Sequence, residues 1–60
     1  MMTNLPTDPV MLLSVINTKL RDIYPDFNTM CEDLQLDSQW IVHTLETIDY
    51  QYDATRNQFI

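Results

Sequence analysis

Apolar side chains recur along this chain at intervals that predict three short helices. In the first third of the chain, four of them fall three or four positions apart and share one helical face: Leu13, Ile16, Leu20 and Ile23. Asp8 followed by Pro9 is typical of a helix start, and Pro25 disfavours helical geometry at the residue before it. The pattern therefore predicts a loose arm over residues 1–7 and a first helix over residues 9–24.

Two further helices follow, separated by a tight corner. Their inward-facing apolar positions repeat with the same helical spacing: Phe27, Met30, Cys31, Leu34, Ile41, Leu45 and Ile48. Asp26 precedes the first of these helices as a cap, and either Asp37 or Ser38 caps the second. We predict helices over residues 27–34 and 38–48, in the arrangement of a helix-turn-helix.

The last eleven residues alternate in a way that predicts a hairpin over residues 50–60. Tyr50 and Tyr52 flank a polar residue, and turn-forming residues follow before the chain returns. The chain has no glycine. Asn57 is therefore the expected left-handed residue of the hairpin. Gln35 occupies the corner, where a glycine would relieve a left-handed backbone, so its presence argues against a standard turn. The predicted fold is mainly α: one three-helix, winged-helix-like domain over residues 1–60 with a short C-terminal β-hairpin.

Sixty residues allow one small core. We expect eight side chains to form it: Leu13, Ile16, Leu20, Cys31, Leu34, Ile41, Leu45 and Ile48.

Cys31 is the only cysteine, so the chain forms no internal disulfide. Burial and nearby carboxylates should raise the pKa of its thiol and make it unreactive. A single reduced thiol favours a cytoplasmic location. The longest apolar stretch, residues 10–16, is too short to span a membrane.

Charge is distributed unevenly and limits the partners that the chain can bind. The net charge is −6, and residues 22–53 contain eight acidic side chains and no basic one. Such a surface repels phosphate, which argues against nucleic acid and anionic lipid as partners. The alternative is a winged-helix nucleic-acid binder that acts within a larger complex. Its third helix would present Gln39, His43, Thr44 and Thr47 to base edges.

Catalytic chemistry has little support in the sequence. His43 and Glu46 stand one turn apart on the third predicted helix, a spacing that acid–base or metal chemistry can use. No third ligand or nucleophile accompanies them in register, and so small a domain has little room for a pocket. We therefore expect no enzymatic activity, no cofactor and no metal.

Protein association is the function class that remains. Met11 and Val15 lie four positions apart on the first helix, away from its predicted core face, and Asp22 shares their side. Trp40 flanks the core face of the third helix. Grouped apolar side chains at a surface mark an interface. We predict a non-catalytic protein-interaction module whose partner is another protein or a second copy, in the latter case as a weak homodimer.

Three blocks of the chain carry a resemblance to a known family: DPVMLLSVINTKLRD, MCEDLQLD and IDYQYDATRNQF. They are similar to the domain of unknown function 4250 family of small bacterial proteins, and the likeness extends over residues 5–59. The resemblance implies a bacterial source and a free-standing single domain, and it supplies no activity, cofactor or site. The family pattern has a glycine where this chain has Asp49. The block that matches best implies a shared role on the first helix, around four residues: Asn17, Lys19, Arg21 and Asp22.

Overall fold

The computed structural model describes residues 5–60 and consists of three helices followed by a two-stranded antiparallel hairpin. The elements, in chain order, are α1 (Pro9–Asp22), α2 (Phe27–Leu34), α3 (Ser38–Glu46), β1 (Tyr52–Asp53) and β2 (Gln58–Phe59). The predicted mainly α fold is confirmed. Within the predicted N-terminal arm, residues 1–4 lie outside the described part of the chain, and Leu5 packs against the core.

Each helix begins on an aspartate whose side chain accepts a hydrogen bond from a backbone N–H in the first turn. The three bonds run from Met11 N to Asp8 Oδ2 (3.0 Å), from Thr29 N to Asp26 Oδ1 (2.7 Å) and from Trp40 N to Asp37 Oδ1 (3.2 Å). Such caps satisfy N–H groups that the helix itself leaves unpaired. The cap of α3 is therefore Asp37 rather than Ser38, and three acidic residues have a structural role.

The helix ends depart from prediction more than the starts do. α2 has the predicted bounds, whereas α1 ends at Asp22, two residues early, because the backbone of Ile23 leaves helical geometry (φ −124°, ψ −48°). Ile23 is 65% exposed, so its predicted place on the core face is wrong. Regular α3 ends at Glu46, and a turn continues to Ile48, whose N–H donates to the Leu45 carbonyl.

The core lies between α1, α2, α3 and the hairpin, with α1 packed against all of the other layers. Five of the eight predicted core residues are buried: Ile16, Leu20, Cys31, Ile41 and Leu45. Leu13, Leu34 and Ile48 are only partly buried and pack around them. The remaining buried side chains are Leu12, Met30 and Phe59. The inward face of α1 therefore consists of Leu12, Ile16 and Leu20, and Leu13 lies at its edge.

Among residues 5–60, three have a left-handed backbone: Gln35 (φ 55°), Asp49 (φ 64°) and Asn57 (φ 54°). The prediction for Asn57 is confirmed, and the corner residue Gln35 adopts the left-handed backbone although it is not a glycine. Asp49 follows α3, where Tyr50 N donates to Leu45 O and Asp49 N donates to Glu46 O, both at 3.0 Å. This is a Schellman ending, which favours glycine at the left-handed position.

Replacing Asp49 with glycine is expected to raise the free energy of unfolding by about 1 kcal/mol. The change removes a Cβ that is unfavourable in left-handed geometry and a negative charge at the C-terminal end of a helix dipole. Urea denaturation followed by circular dichroism measures the effect. Asp49→Asn is the matched control, because it removes the charge but keeps a Cβ. A glycine variant no more stable than the asparagine variant would show that the backbone there is unstrained.

Candidate interaction surface

The side of α1 that faces away from the core carries apolar side chains in its first half. We call it the outer face of α1, formed by Val10, Met11, Ser14, Val15, Thr18, Arg21 and Asp22. Met11 is 60% exposed and Val10 is 64% exposed, while Val15 at the edge of this face is half-buried. Met11, Val15 and Asp22 therefore fall on one side of α1, with Asp22 three turns from Met11. Val10 was missed, although residues 10–13 are four consecutive apolar residues and cannot all face inward.

Asp22 ends the outer face in an ion pair with its neighbour Arg21. Arg21 Nε lies 2.8 Å from Asp22 Oδ1, and Nη2 lies 3.0 Å from Oδ2, so the pair is bidentate. The hydrogen bond from the guanidinium lowers the pKa of Asp22, and the same bond raises the pKa of Arg21. Both side chains are exposed to solvent. The C-terminal end of the outer face is therefore polar but close to neutral.

Trp40 lies on α3, an element separate from the other three predicted surface residues. The Trp40 residue is partly exposed to solvent, with 38% of its surface accessible. Val42 lies on the opposite flank of α3 and packs against the core. Met11, Val15 and Asp22 therefore belong to one helix, whereas Trp40 belongs to another.

One flank of α1 is joined to the hairpin by a set of side-chain amides, which we call the amide network: Asn17, Asn57 and Gln58. The Asn17 side chain both donates a hydrogen bond to the Phe59 backbone and accepts one from it. Its Nδ2 donates to the Phe59 carbonyl at 3.0 Å, and its Oδ1 accepts from Phe59 N at 2.8 Å. Gln58 Nε2 donates to the Asn17 carbonyl at 3.0 Å. Asn17 thus occupies the place beside β2 that a third strand would take.

Asn57 closes the C-terminal end of α1. Its Nδ2 donates to the carbonyls of Leu20 and Tyr24, each at 3.0 Å, and its Oδ1 accepts from the Tyr52 hydroxyl at 2.7 Å. The Tyr52 oxygen also accepts from Phe27 N at 3.3 Å. These bonds satisfy carbonyl groups that the end of a helix leaves unpaired. The left-handed backbone of Asn57 places its amide there.

Three aromatic rings pack beneath the amide network. Phe59 lies edge-on to Phe27 with ring centroids 5.1 Å apart, and Tyr52 lies 5.4 Å from Phe59 and 5.5 Å from Phe27. Centroid separations of this size are typical of favourable aromatic pairs. The cluster fixes the hairpin on the start of α2 and confirms that its aromatic side chains pack on the helices.

The family model described as Domain of unknown function (DUF4250) matches residues 6–59, nearly the whole chain. The chain belongs to this family. The predicted resemblance is therefore confirmed. No curated protein and no solved structure matches the chain.

Within this DUF4250 protein, the block around Asn17 divides into two parts with different surroundings. The Asn17 side chain is taken up by the hairpin, whereas Arg21 and Asp22 lie on the outer face of α1. The IDYQYDATRNQF block supplies the left-handed Asp49 and the Tyr52, Asn57 and Phe59 contacts. These residues therefore have structural roles in this chain, and the outer face of α1 is left as the candidate for interaction.

The other candidate groups of this DUF4250 protein are poorly placed for chemistry. His43 Nδ1 lies 4.0 Å from Glu46 Oε1, too far for a hydrogen bond, and both side chains are exposed. Cys31 is buried, and burial, followed by the charge of Asp37, raises the pKa of its thiol, as predicted. Residues 5–60 contain no detectable pocket and no group of three metal-binding side chains. Over the same residues, no helix has the length and apolar character needed to cross a membrane.

Proposed function

We propose that this DUF4250 protein is a non-catalytic protein-interaction module that binds its partner through the outer face of α1. The observation that carries the proposal is the exposure of Val10 and Met11, each at least 60% open to solvent. Grouped apolar side chains that remain in water are a recognised mark of an interface. With Val15 beside them, these residues make the N-terminal half of α1 apolar on its outer as well as its inner side.

The fold itself does not require these exposed side chains. Eight apolar residues are buried without them, and no buried side-chain polar atom among the described residues lacks a hydrogen-bond partner. A polar residue at position 10 or 11 would therefore leave the core and the amide network unchanged. That Val10 and Met11 are apolar supports a role in binding rather than in folding.

Nucleic acid is a poorer partner for the described surface. Asp37 and Asp49 lie at the two ends of α3, the element that would enter a groove, and Arg56 is the only basic side chain of the hairpin. Affinity for nucleic acid depends on neutralising phosphates. The helix-turn-helix crossing and the winged-helix function both stay predictions, and no contact or charge described above favours the second.

Pull-down from the native cell with a tagged copy tests the proposal. After chemical cross-linking in the cell to trap a weak complex, we expect wild type to retain a protein, either another chain or an untagged copy, that Met11→Glu loses. Ile60→Glu is the matched control, because Ile60 is an exposed apolar residue (49%) on the hairpin and gains the same charge. Wild type and Met11→Glu retaining the same proteins in the same amounts would refute the proposal.

A further inference from the structure

We infer that the partner is a second copy of this chain, bound across a twofold axis through the outer face of α1. The inference rests on the proposed function and names its partner. Two observations carry it: the distribution of charge between α1 and the rest of the chain, and the self-complementary composition of the outer face.

Charge separates α1 from the rest of the molecule. Up to residue 22 the chain has two acidic side chains, Asp8 and Asp22, and two basic ones, Lys19 and Arg21. Beyond residue 22 it has seven acidic side chains against Arg56, which accounts for the entire net charge of −6. Two copies that meet through α2, α3 or the hairpin would bring acidic surfaces together, at a cost. Through α1 they approach with balanced charge.

The same distribution argues against a basic partner on this face. A basic protein is drawn to the surface with the most negative potential, which lies beyond residue 22. The outer face of α1 offers it only Asp22, which already pairs with Arg21. A neutral apolar patch is better matched by an identical patch than by a charged one.

The composition of the outer face suits a twofold arrangement. In such an interface each copy presents the same patch, so Met11 and Val15 of one copy pack on those of the other. The apolar half of α1 lies at the centre, and the Arg21–Asp22 pair forms a polar rim that needs no countercharge from the partner. Rims of this kind are polar in ordinary interfaces as well.

The size of the face sets the strength of the dimer. α1 has 14 residues and is therefore about 21 Å long, and one face of it covers on the order of 300 Å² per copy. Stable interfaces bury about 800 Å² per partner. The dimer is therefore weak, with a dissociation constant in the high-micromolar to millimolar range.

Sedimentation equilibrium of the purified full chain tests the inference. We expect the wild-type dimer fraction to rise through the high-micromolar range, and Met11→Glu to weaken association about tenfold or more, since it places an unpaired charge in the interface. Met11 is the third residue of α1, where a glutamate completes a capping box with Asp8. The substitution should therefore support folding, and a lost dimer cannot be attributed to an unfolded chain. Ile60→Glu carries the same added charge and should dimerise as wild type does.

Salt provides a second readout. Each copy carries −6, so screening of the mutual repulsion should strengthen the dimer as ionic strength rises. A wild-type protein that stays monomeric at millimolar concentration overturns the inference. So does an Ile60→Glu variant that loses as much dimer as Met11→Glu, or a wild-type dimer that weakens as salt is added. A monomeric wild type that still retains a Met11-dependent protein in the pull-down would refute self-association alone. A wild-type protein that neither dimerises nor retains a Met11-dependent protein in the pull-down would refute the proposed function as well.

Discussion

Replacing Phe59 with alanine is expected to unfold a large fraction of the protein at room temperature. Phe59 is 1% exposed and contacts both Phe27 and Tyr52. Truncating a buried phenylalanine costs about 3–5 kcal/mol, since it removes apolar contact and leaves a cavity. A domain of 60 residues has a total stability of roughly 3–9 kcal/mol. Urea titration monitored by circular dichroism and by the fluorescence of the single tryptophan, Trp40, measures the loss.

The neighbouring residue supplies the control for this experiment. Ile60 is also apolar and terminal in the hairpin but is 49% exposed, so Ile60→Ala should change the free energy of unfolding by less than about 0.5 kcal/mol. If Phe59→Ala has the same midpoint as Ile60→Ala, the hairpin does not close the core and the position of β2 is wrong.

Replacing Asn57 with alanine is expected to lower the free energy of unfolding by about 2–4 kcal/mol, through two separate losses. The side chain makes three partly buried hydrogen bonds, two to carbonyls at the end of α1 and one from the Tyr52 hydroxyl. The backbone is left-handed, which alanine tolerates poorly. Thermal and urea denaturation both report the change.

Asn57→Gly separates the two losses, because glycine accepts the left-handed backbone but makes no side-chain bonds. Its stability should lie between those of wild type and Asn57→Ala. Arg56→Ala, at the exposed preceding residue, should melt close to wild type. Equal stability of wild type and Asn57→Gly would mean that the side-chain hydrogen bonds of Asn57 contribute nothing to stability and that only its backbone conformation matters.

The sequence predicted local features of the fold well because local chemistry determines them. The aspartate before each helix, the proline after Asp8 and the helical spacing of Ile16 and Leu20 all act within a few residues. The core face of α1 was predicted correctly at Ile16 and Leu20 but not at Leu13, which is only partly buried, or at Ile23, which is exposed. Leu12 and Leu13 are equivalent by spacing, and the packing of α1 against both α3 and β2 selects Leu12.

The amide network and the buried Phe59 could not be read from any local pattern. Asn17 bonds to a residue 42 positions away, and Asn57 bonds to carbonyls 33 and 37 positions away. An asparagine on a helix has no sequence signal for such a partner. The candidate surface was predicted in part. Spacing places Met11 and Val15 away from the core, but the exposed position of Val10 was not predicted.

The Asn17–Phe59 pairing has a consequence for how the chain acquires and loses order. α2 and α3, at eight and nine residues, are shorter than the roughly 12–15 residues at which an isolated helix becomes even marginally stable. Closing a loop of 42 residues costs roughly 3 kcal/mol in chain entropy before its bonds form. Folding should therefore be all-or-none and should wait for the hairpin to dock. A chain that loses residues 57–59, by a cut or by incomplete synthesis, would lose its helices too, and a protease would meet it as an unfolded peptide.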